Sequence, residues 1–200
     1  RDLFSRLIYG ARVSLFIGIL TTLLALVIGT IYGSISGYIG GRMDSFMMRV
    51  VDVVFALPDM LMIILVTVIM GRGIAGMFIA LTLVSWVTVA RLVRGEVLRI
   101  KEKTYVEAAR ALGASSPRIL IQEILPNILG LMIVTLTFRI PVAILAESTL
   151  SFIGLGIAPP FSSWGTMANE GWKSIKFYPH LILFPSLAIF FTILSFNFLG

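Results

Sequence analysis

Three charged side chains interrupt long apolar runs of this sequence, and they are its first candidates for chemistry. Asp59, Arg139 and Glu147 each lie in or beside a stretch long enough to cross a bilayer. A charge at the bilayer centre costs about 2.5–3.5 kcal/mol on insertion scales, so such residues usually face a water-filled cavity or a partner. Together with Ser151, they are candidates for lining a pathway for a polar solute.

The position of Arg139 leaves two interpretations open. It lies 15 residues into an apolar run that begins at Ile124. Its guanidinium either faces a solvated cavity, where a solute carboxylate can bind, or pairs with Asp59 or Glu147. Pairing with Glu147 is difficult within one straight helix, because eight residues separate the two by about 12 Å along the axis. Asp59 follows Pro58, which loosens a helix, so its carboxylate is expected beside water or against another helix.

Catalytic and nucleotide-binding patterns are missing from the sequence. There is no GxxxxGK[ST] phosphate loop and no GxSxG nucleophile elbow. The chain has no Cys, which excludes disulfides, Cys-based zinc sites and thiol catalysis. Its single His, His180, is interpreted as a polar residue at the outer interface rather than a metal ligand. The GxGxxG match at 71–76 lies in a turn between apolar runs and is interpreted as fortuitous, so we expect no catalysis, metal or cofactor in this chain.

The composition predicts a membrane protein. The 200 residues are 58% hydrophobic and 13% charged, with a mean hydropathy of +1.01. Soluble chains have about 45–50% apolar and about 25% charged residues, so this chain cannot cover its apolar surface in water, and its composition is also the opposite of a disordered one. The net charge of +6 is assigned to membrane orientation rather than to nucleic-acid binding.

Five apolar runs approach the roughly 20 helical residues that cross a bilayer core about 30 Å thick. They cover residues 13–39, 46–70, 74–90, 124–146 and 177–199. Long continuous runs without β alternation favour helices over a barrel. The predicted fold class is therefore all-α: one polytopic transmembrane helical bundle over residues 1–200, multi-pass in the cell membrane.

Lys and Arg concentrate in residues 91–123, which the positive-inside rule places in the cytoplasm. Alternation then places residues 147–176 and 1–12 outside. The three arginines of residues 1–12 conflict with the rule, and a further span upstream of Arg1 is expected to fix the orientation first. Apolar residues at helical spacing favour an amphipathic surface helix over residues 1–12.

Residues 91–123 have the pattern of two helices joined by a sharp turn. Residues 105–112 are good helix formers, and Gly113 follows where a helix-ending glycine is expected. Ser116 as N-cap and Pro117 at the first helical position then open a second helix, which runs to Pro126. A short amphipathic helix on the cytoplasmic side is suited to a groove of a soluble partner.

Two other local patterns concern packing within the first two spans. Gly29, Gly33, Gly37 and Gly41 recur every four residues and therefore share one helix face. Such a face permits close helix packing, and the sequence leaves open whether the partner helix belongs to this chain or to a second subunit. Asp52 is expected at the cytoplasmic edge, paired with Arg49 three residues before it.

The outer segment that follows Glu147 is rich in helix-breaking residues. Glycines in residues 152–156 and the pair Pro159-Pro160 interrupt any long helix, and Trp164 and Trp172 are suited to anchoring at the interface. This pattern predicts a re-entrant or surface-lying segment at the outer gate, or alternatively an ordinary external loop.

Several motifs resemble those of a known family. Glu107-Ala108-Ala109, Gly113 and Leu125-Pro126 resemble the EAA motif of ABC importer permeases, although Glu123 stands where that motif has an aliphatic residue. Glu147 with LSFIGLG (150–156), Pro159-Pro160 and SWG (163–165) are similar to the dipeptide and oligopeptide branch, second permease subunit type. The stretches GGRMD (40–44) and FNFLG (196–200) extend this resemblance over nearly the whole chain.

The resemblance implies a six-span subunit that works in a larger importer of peptides. Its implied partners are a second homologous permease subunit, two nucleotide-binding ATPase subunits and an extracytoplasmic peptide-binding protein. ATP and magnesium would bind on the ATPase subunits. The residues implied to couple this chain to an ATPase are Tyr105, Val106, Glu107, Ala108, Ala109, Arg110, Ala111, Leu112 and Gly113.

A second class of function stays open. Asp59, Arg139 and Glu147 would form an ion or proton site in a stand-alone secondary transporter or channel. Residues 91–123 discriminate between the two classes, because such a transporter needs no helix for docking an ATPase.

Overall fold

Helices account for the architecture of this chain. The computed structural model describes residues 2–71, 73–157 and 161–199. Its elements are α1 (Leu3–Ile39), α2 (Gly41–Phe55), α3 (Asp59–Met70), α4 (Ile74–Ile100), α5 (Thr104–Ala111), α6 (Ser116–Ile119), a π-helical stretch (Leu120–Ile124), α7 (Leu125–Phe152), α8 (Trp164–Lys173) and α9 (His180–Leu199). These described residues include no strand, and the all-α prediction is confirmed. Expectations that involve Arg1, Arg72, Pro159, Pro160 or Gly200 concern residues outside the described ranges.

The predicted spans correspond to helices, with different boundaries. Within the described residues, four continuous helical stretches are long and apolar enough to cross a membrane, and α2 with α3 forms a bent pair that counts as a fifth when the two are taken as one span. The first three spans begin or end outside their predicted limits, because α1 begins at Leu3, α2 at Gly41, and α4 continues to Ile100. These helical extensions contain charged residues and lie beyond the apolar runs, so hydropathy alone did not predict that the helices continue there.

The prediction of a separate amphipathic surface helix over residues 1–12 is wrong, because the first helix is continuous from Leu3 to Ile39. Residues 3–12 are the first turns of α1, which Asp2 caps by accepting the Phe4 N–H at 3.1 Å. At about 1.5 Å per residue the 37 residues of α1 span about 55 Å, so the helix is longer than a bilayer core. Its early turns pack against α8, where Trp164 Nε1 donates to the Leu7 carbonyl at 3.0 Å and Arg6 pairs with Glu170 at 2.6 Å.

The second apolar run is broken rather than continuous. Helices α2 and α3 meet at an 80° bend. Pro58 cannot donate a helix hydrogen bond, and its ring disfavours helical backbone at the residue before it. The sequence indicates loosening at this point, but the structure shows a full break, with Asp59 as the first residue of α3.

The helix that opens after Gly113 was predicted to run to Pro126, but in the structure it continues past that residue. The path from Ser116 to Phe152 is one apolar helical stretch of 37 residues. In a regular α-helix the Pro126 ring would meet the carbonyl of Gln122. Here a wider π-helical turn covers residues 120–124, which include Gln122, and ends two residues before Pro126. The N-cap is Ser115 rather than Ser116.

Close packing of α1 on α4 holds the centre of the bundle together. A Cβ added at Gly29 would lie 2.6 Å from Val89 Cβ, and one at Gly37 would lie 2.9 Å from the Arg94 carbonyl oxygen. The glycine face therefore packs on a helix of the same chain. Gly41 does not belong to it, contrary to the prediction, because the chain turns at Gly40 and Gly41 is an exposed residue at the start of α2.

Gly33→Ala is expected to destabilise the solubilised protein. The added Cβ would press on the backbone of Ala90 and approach the Arg94 backbone nitrogen at 3.0 Å. Neither atom can move without separating the helices, so we expect an overpacking cost of about 1–3 kcal/mol, measured as a lower Tm. Gly95→Ala is the matched control, since open space surrounds that glycine, and an equal loss of Tm in both variants would contradict the packing account.

The outer segment contains a packed helix rather than an ordinary loop. Helix α7 ends in a Schellman motif: Leu155 N–H donates to the Leu150 carbonyl at 2.9 Å, and Gly154 has φ 87°. Helix α8 then begins with a capping box in which Ser163 and Thr166 bond reciprocally. It packs against α7, α9 and α1. Its inward face consists of Trp164, Gly165, Met167, Ala168 and Gly171.

Candidate coupling segment and translocation cavity

The short helix α5 is attached to the end of α4 by one buried side chain. Val106 has no exposed surface, and it lies in one apolar cluster with Val97 and Ile100 of α4 and with Ile119 and Ile124. Helix α5 is only 8 residues long, and Val106 is its one buried residue. Its other faces therefore remain available.

A Schellman motif fixes the turn after α5. Gly113 has φ 83°; its N–H donates to the Arg110 carbonyl, and the Ala114 N–H donates to the Ala109 carbonyl, both at 3.0 Å. Left-handed backbone of this kind favours glycine. Gly113 thus sets the direction in which α6 leaves α5.

Most of the implied coupling residues lie on the surface of this chain. Leu112, at the tip of the segment, is 89% exposed, and Tyr105 is 42% exposed. Val106 and Ala109 face inward. The exposed members of the segment are Tyr105, Glu107, Ala108, Arg110, Ala111, Leu112 and Gly113. The segment therefore exposes one leucine almost completely, together with a tyrosine and the charges of Glu107 and Arg110.

A cavity of about 280 Å³ opens between α3, α4 and α7. Asp59 lines it from the start of α3 and Arg139 lines it from the middle of α7. The ion pairs of the described residues do not include Arg139. The other lining residues are largely apolar: Met60, Ile63, Leu81, Val84, Ser85, Val142, Ala143, Leu145, Ala146 and Thr149. One acid and one base therefore share an otherwise mostly apolar space.

Glu147 and Ser151 lie in a different environment from Asp59 and Arg139. Glu147 is 0% exposed and accepts hydrogen bonds from Ser14 at 3.0 Å and Ser151 at 2.8 Å. Ser14 also accepts the Trp164 N–H at 3.2 Å. This buried carboxylate therefore joins α1, α7 and the start of α8. The four predicted pathway residues fall into two groups of two.

A third polar cluster joins α1, α2 and α4. Arg94 donates from Nε and Nη2 to the two carboxylate oxygens of Asp44, both at 2.6 Å, and Ser36 Oγ donates to Asp44 Oδ1 at 2.5 Å. One turn earlier on α4, Arg91 pairs with Asp52 at 2.5 Å. The predicted pairing of Asp52 with Arg49 is wrong, because the carboxylate points across to α4.

The family described as binding-protein-dependent transport system inner membrane component matches residues 25–200 of this sequence. The chain belongs to this family. It is accordingly an inner-membrane component with several membrane-spanning helices.

Relatives of this inner-membrane component cover its whole length. It is 48% identical to the dipeptide transport system permease protein DppC and 45% identical to the oligopeptide transport system permease protein OppC, both of Bacillus subtilis (strain 168). It is 46% identical to the glutathione transport system permease protein GsiD of Escherichia coli O157:H7. Each match covers 100% of this chain and 63%, 66% and 66% of these relatives in turn. The chain therefore spans about two thirds of the length of these curated relatives.

The same fold occurs in solved permease structures. Two crystal forms of the inward-facing MetNI methionine ABC transporter match 98% of this chain and 93–94% of their own, with TM-scores of 0.80 and 0.81. The sequence identities are 17% and 19%, so this likeness concerns the fold.

Sequence reasoning missed the Asp44–Arg94 pair of this inner-membrane component. The two residues are 50 positions apart, so no helical spacing rule connects them. A weak signal was present, because Asp44 ends the GGRMD stretch of the family resemblance and Arg94 lies in an apolar helix.

Among the described residues no group of three His, Cys, Asp or Glu side chains is arranged to hold a metal ion.

Proposed function

We propose that this chain is the permease subunit of an ATP-driven importer of peptides, and that α5 is the site where an ATPase subunit binds. The observation that carries the proposal is the exposed surface of α5, which packs inward through Val106 and Ala109 and is ended by the Gly113 turn. The named cargoes of the relatives are dipeptides, oligopeptides and glutathione, which supports a peptide as the solute.

The chemistry of α5 fits a groove on a soluble protein. Leu112 and Tyr105 supply apolar anchors, while Glu107 and Arg110 supply charges that fix orientation. In this proposal ATP and magnesium bind the two ATPase subunits, and this chain catalyses no reaction. A second homologous permease subunit completes the pore, and an extracytoplasmic peptide-binding protein delivers the solute at the outer end.

The cavity between α3, α4 and α7 is suited to a short zwitterion. In our proposal Arg139 receives the terminal carboxylate of a passing peptide, Asp59 receives its ammonium group, and the apolar lining accommodates side chains. A guanidinium binds a carboxylate through charge-assisted hydrogen bonds. We assign Glu147 and Ser151 to the outer end of the pathway, where they hold α8 in place rather than contact the solute.

Reconstitution tests this function directly. The chain, a homologous second permease subunit and the ATPase subunits encoded with it are purified together and placed in liposomes with peptide-loaded binding protein. We expect co-purification of the ATPase subunits and uptake of labelled dipeptide that requires ATP. Uptake without the ATPase subunits, driven by an ion gradient, would instead support the secondary transporter.

A further inference from the structure

The Asp44–Arg94 pair is one of the most complete polar contacts in the described residues. Asp44 is 7% exposed, and its two oxygens accept three hydrogen bonds: two from the Arg94 fork at 2.6 Å and one from Ser36 at 2.5 Å. Bidentate pairing fixes the angle of the guanidinium as well as its distance. The contact therefore restrains how α2 can rotate relative to α4.

One end of this contact leads to the coupling segment. Arg94 lies six residues before Ile100, the last residue of α4, and α5 begins at Thr104. Lys101 Nζ also donates to the Gly37 carbonyl at 2.8 Å. Val106 of α5 packs in one cluster with Val97 and Ile100 of α4, so α5 is in contact with the end of α4 that carries Arg94.

The other end leads to the cavity. Helix α2 carries Asp44 in its first turn and ends at Phe55, beyond which the 80° bend leads to Asp59 on the cavity wall. Without Asp44, α2 and α4 still share the half-exposed Arg91–Asp52 pair, the Arg91 guanidinium 4.2 Å from the centre of the Phe55 ring, and an apolar cluster around Val51. Exposed ion pairs contribute little, and both pairs include a partly exposed arginine, but only Asp44 is a buried carboxylate that accepts three hydrogen bonds. The Asp44–Arg94 pair is therefore the most directional link between α2 and α4.

We infer that Asp44 and Arg94 are positioning residues that make α2 follow α4, so that displacement of α5 moves Asp59 at the cavity. This inference rests on the proposed function, in which an ATPase subunit displaces α5. The bend at residues 56–58 is the hinge that converts rotation of α2 into displacement of α3. Neither residue contacts the solute; both act through the position of Asp59.

The energetics of buried ion pairs allow this link to be separated from stability. Removing one partner leaves a buried charge without compensation and is strongly destabilising, whereas replacing both partners by neutral groups of similar size is often tolerated. The double variant Asp44→Asn with Arg94→Gln therefore keeps the packing but loses the charged fork. Asp44→Asn alone keeps an oxygen that accepts from Ser36 and Arg94. The Arg94 side chain is 32% exposed, so water still solvates the charge that loses its partner and the loss of stability should be small.

The experiment measures peptide imported per ATP hydrolysed by the complete importer in liposomes. We expect the double variant and Asp44→Asn to assemble with a near-normal Tm and to hydrolyse ATP, while transport per ATP falls about tenfold, within the range of coupling energies between sites. Glu96→Gln is the matched control, because the Glu96 partner is Arg99 on the same helix, and its ratio should stay normal.

Several results would overturn the inference. A wild-type ratio in the double variant, or in Asp44→Asn if the double variant fails to assemble, would show that the pair has no role in coupling. A proportional loss of transport and ATPase activity with an unchanged ratio would assign the pair to stability alone. Failure of the wild-type chain to assemble with ATPase subunits would instead reject the proposed function.

Discussion

Gly113→Val should abolish ATP-driven peptide uptake while the chain still inserts into the membrane. Gly113 has φ 83°, and a β-branched residue in this region is a conformational outlier. An added Cβ would meet no atom within 4 Å, so the effect is on the backbone rather than on packing. The strained turn would release the Schellman bonds and displace α5 from its orientation. Uptake by the importer in liposomes and substrate-stimulated ATPase activity are the two measurements.

Gly113→Asn provides the matched control for this prediction. Asn tolerates left-handed backbone far better than Val and also ends helices, so most of the uptake should remain. Equal activity in the two variants, or normal uptake by Gly113→Val, would show that the turn has no coupling role. A Val variant that is merely less stable, with normal coupling, would reduce Gly113 to an ordinary turn residue.

Arg139→Gln should reduce the import of peptides that have a free C-terminal carboxylate, without lowering the Tm of the importer. A hydrogen bond to a charged group contributes about 1.5–3 kcal/mol, so we expect roughly a ten- to hundredfold lower transport rate at saturating loaded binding protein. The loss should be small for the same peptide with an amidated C-terminus, because the amide carries no charge for Arg139 to bind.

Asp59→Asn separates the two interpretations of Arg139. If both residues contact the solute, Asp59→Asn should selectively impair peptides with a free N-terminus and spare N-acetylated ones. If they form a structural pair, either variant should lower the Tm regardless of the peptide. Unchanged uptake and unchanged Tm for Arg139→Gln would place its side chain toward lipid.

Hydropathy and turn residues predicted the helices of this fold because their signals are local. Gly113 could be placed at a helix end, and the glycine face of α1 could be predicted, since both depend on residues within a few turns. The identity of the partner helix depends on tertiary packing, which is why only the structure places Val89 and Arg94 against Gly29 and Gly37.

The candidate sites show the same division between local and distant signals. Asp59 and Arg139 were recognisable as charges in apolar runs, and the structure brings them to one cavity. Glu147 gave the same signal but is buried among serines from two helices. The pairing of Asp44 with Arg94 could not be predicted from the weak signal at each residue, because the contact joins two helices across 50 residues.

Crosslinking from α5 tests the central claim most directly. The sequence has no Cys, so Leu112→Cys and Val106→Cys place a single thiol at the exposed tip and at the buried anchor of the same helix. In the complete importer, a short bifunctional thiol reagent should join Leu112→Cys to an ATPase subunit carrying one engineered surface cysteine beside its groove. Val106→Cys should give no such product. A crosslink from Leu112→Cys that disappears when the ATPase subunits are omitted is the result we predict. The account would be contradicted if an active importer assembled but Leu112→Cys gave no crosslink to the ATPase subunit at any tested groove position. That result would show that α5 does not dock on an ATPase subunit.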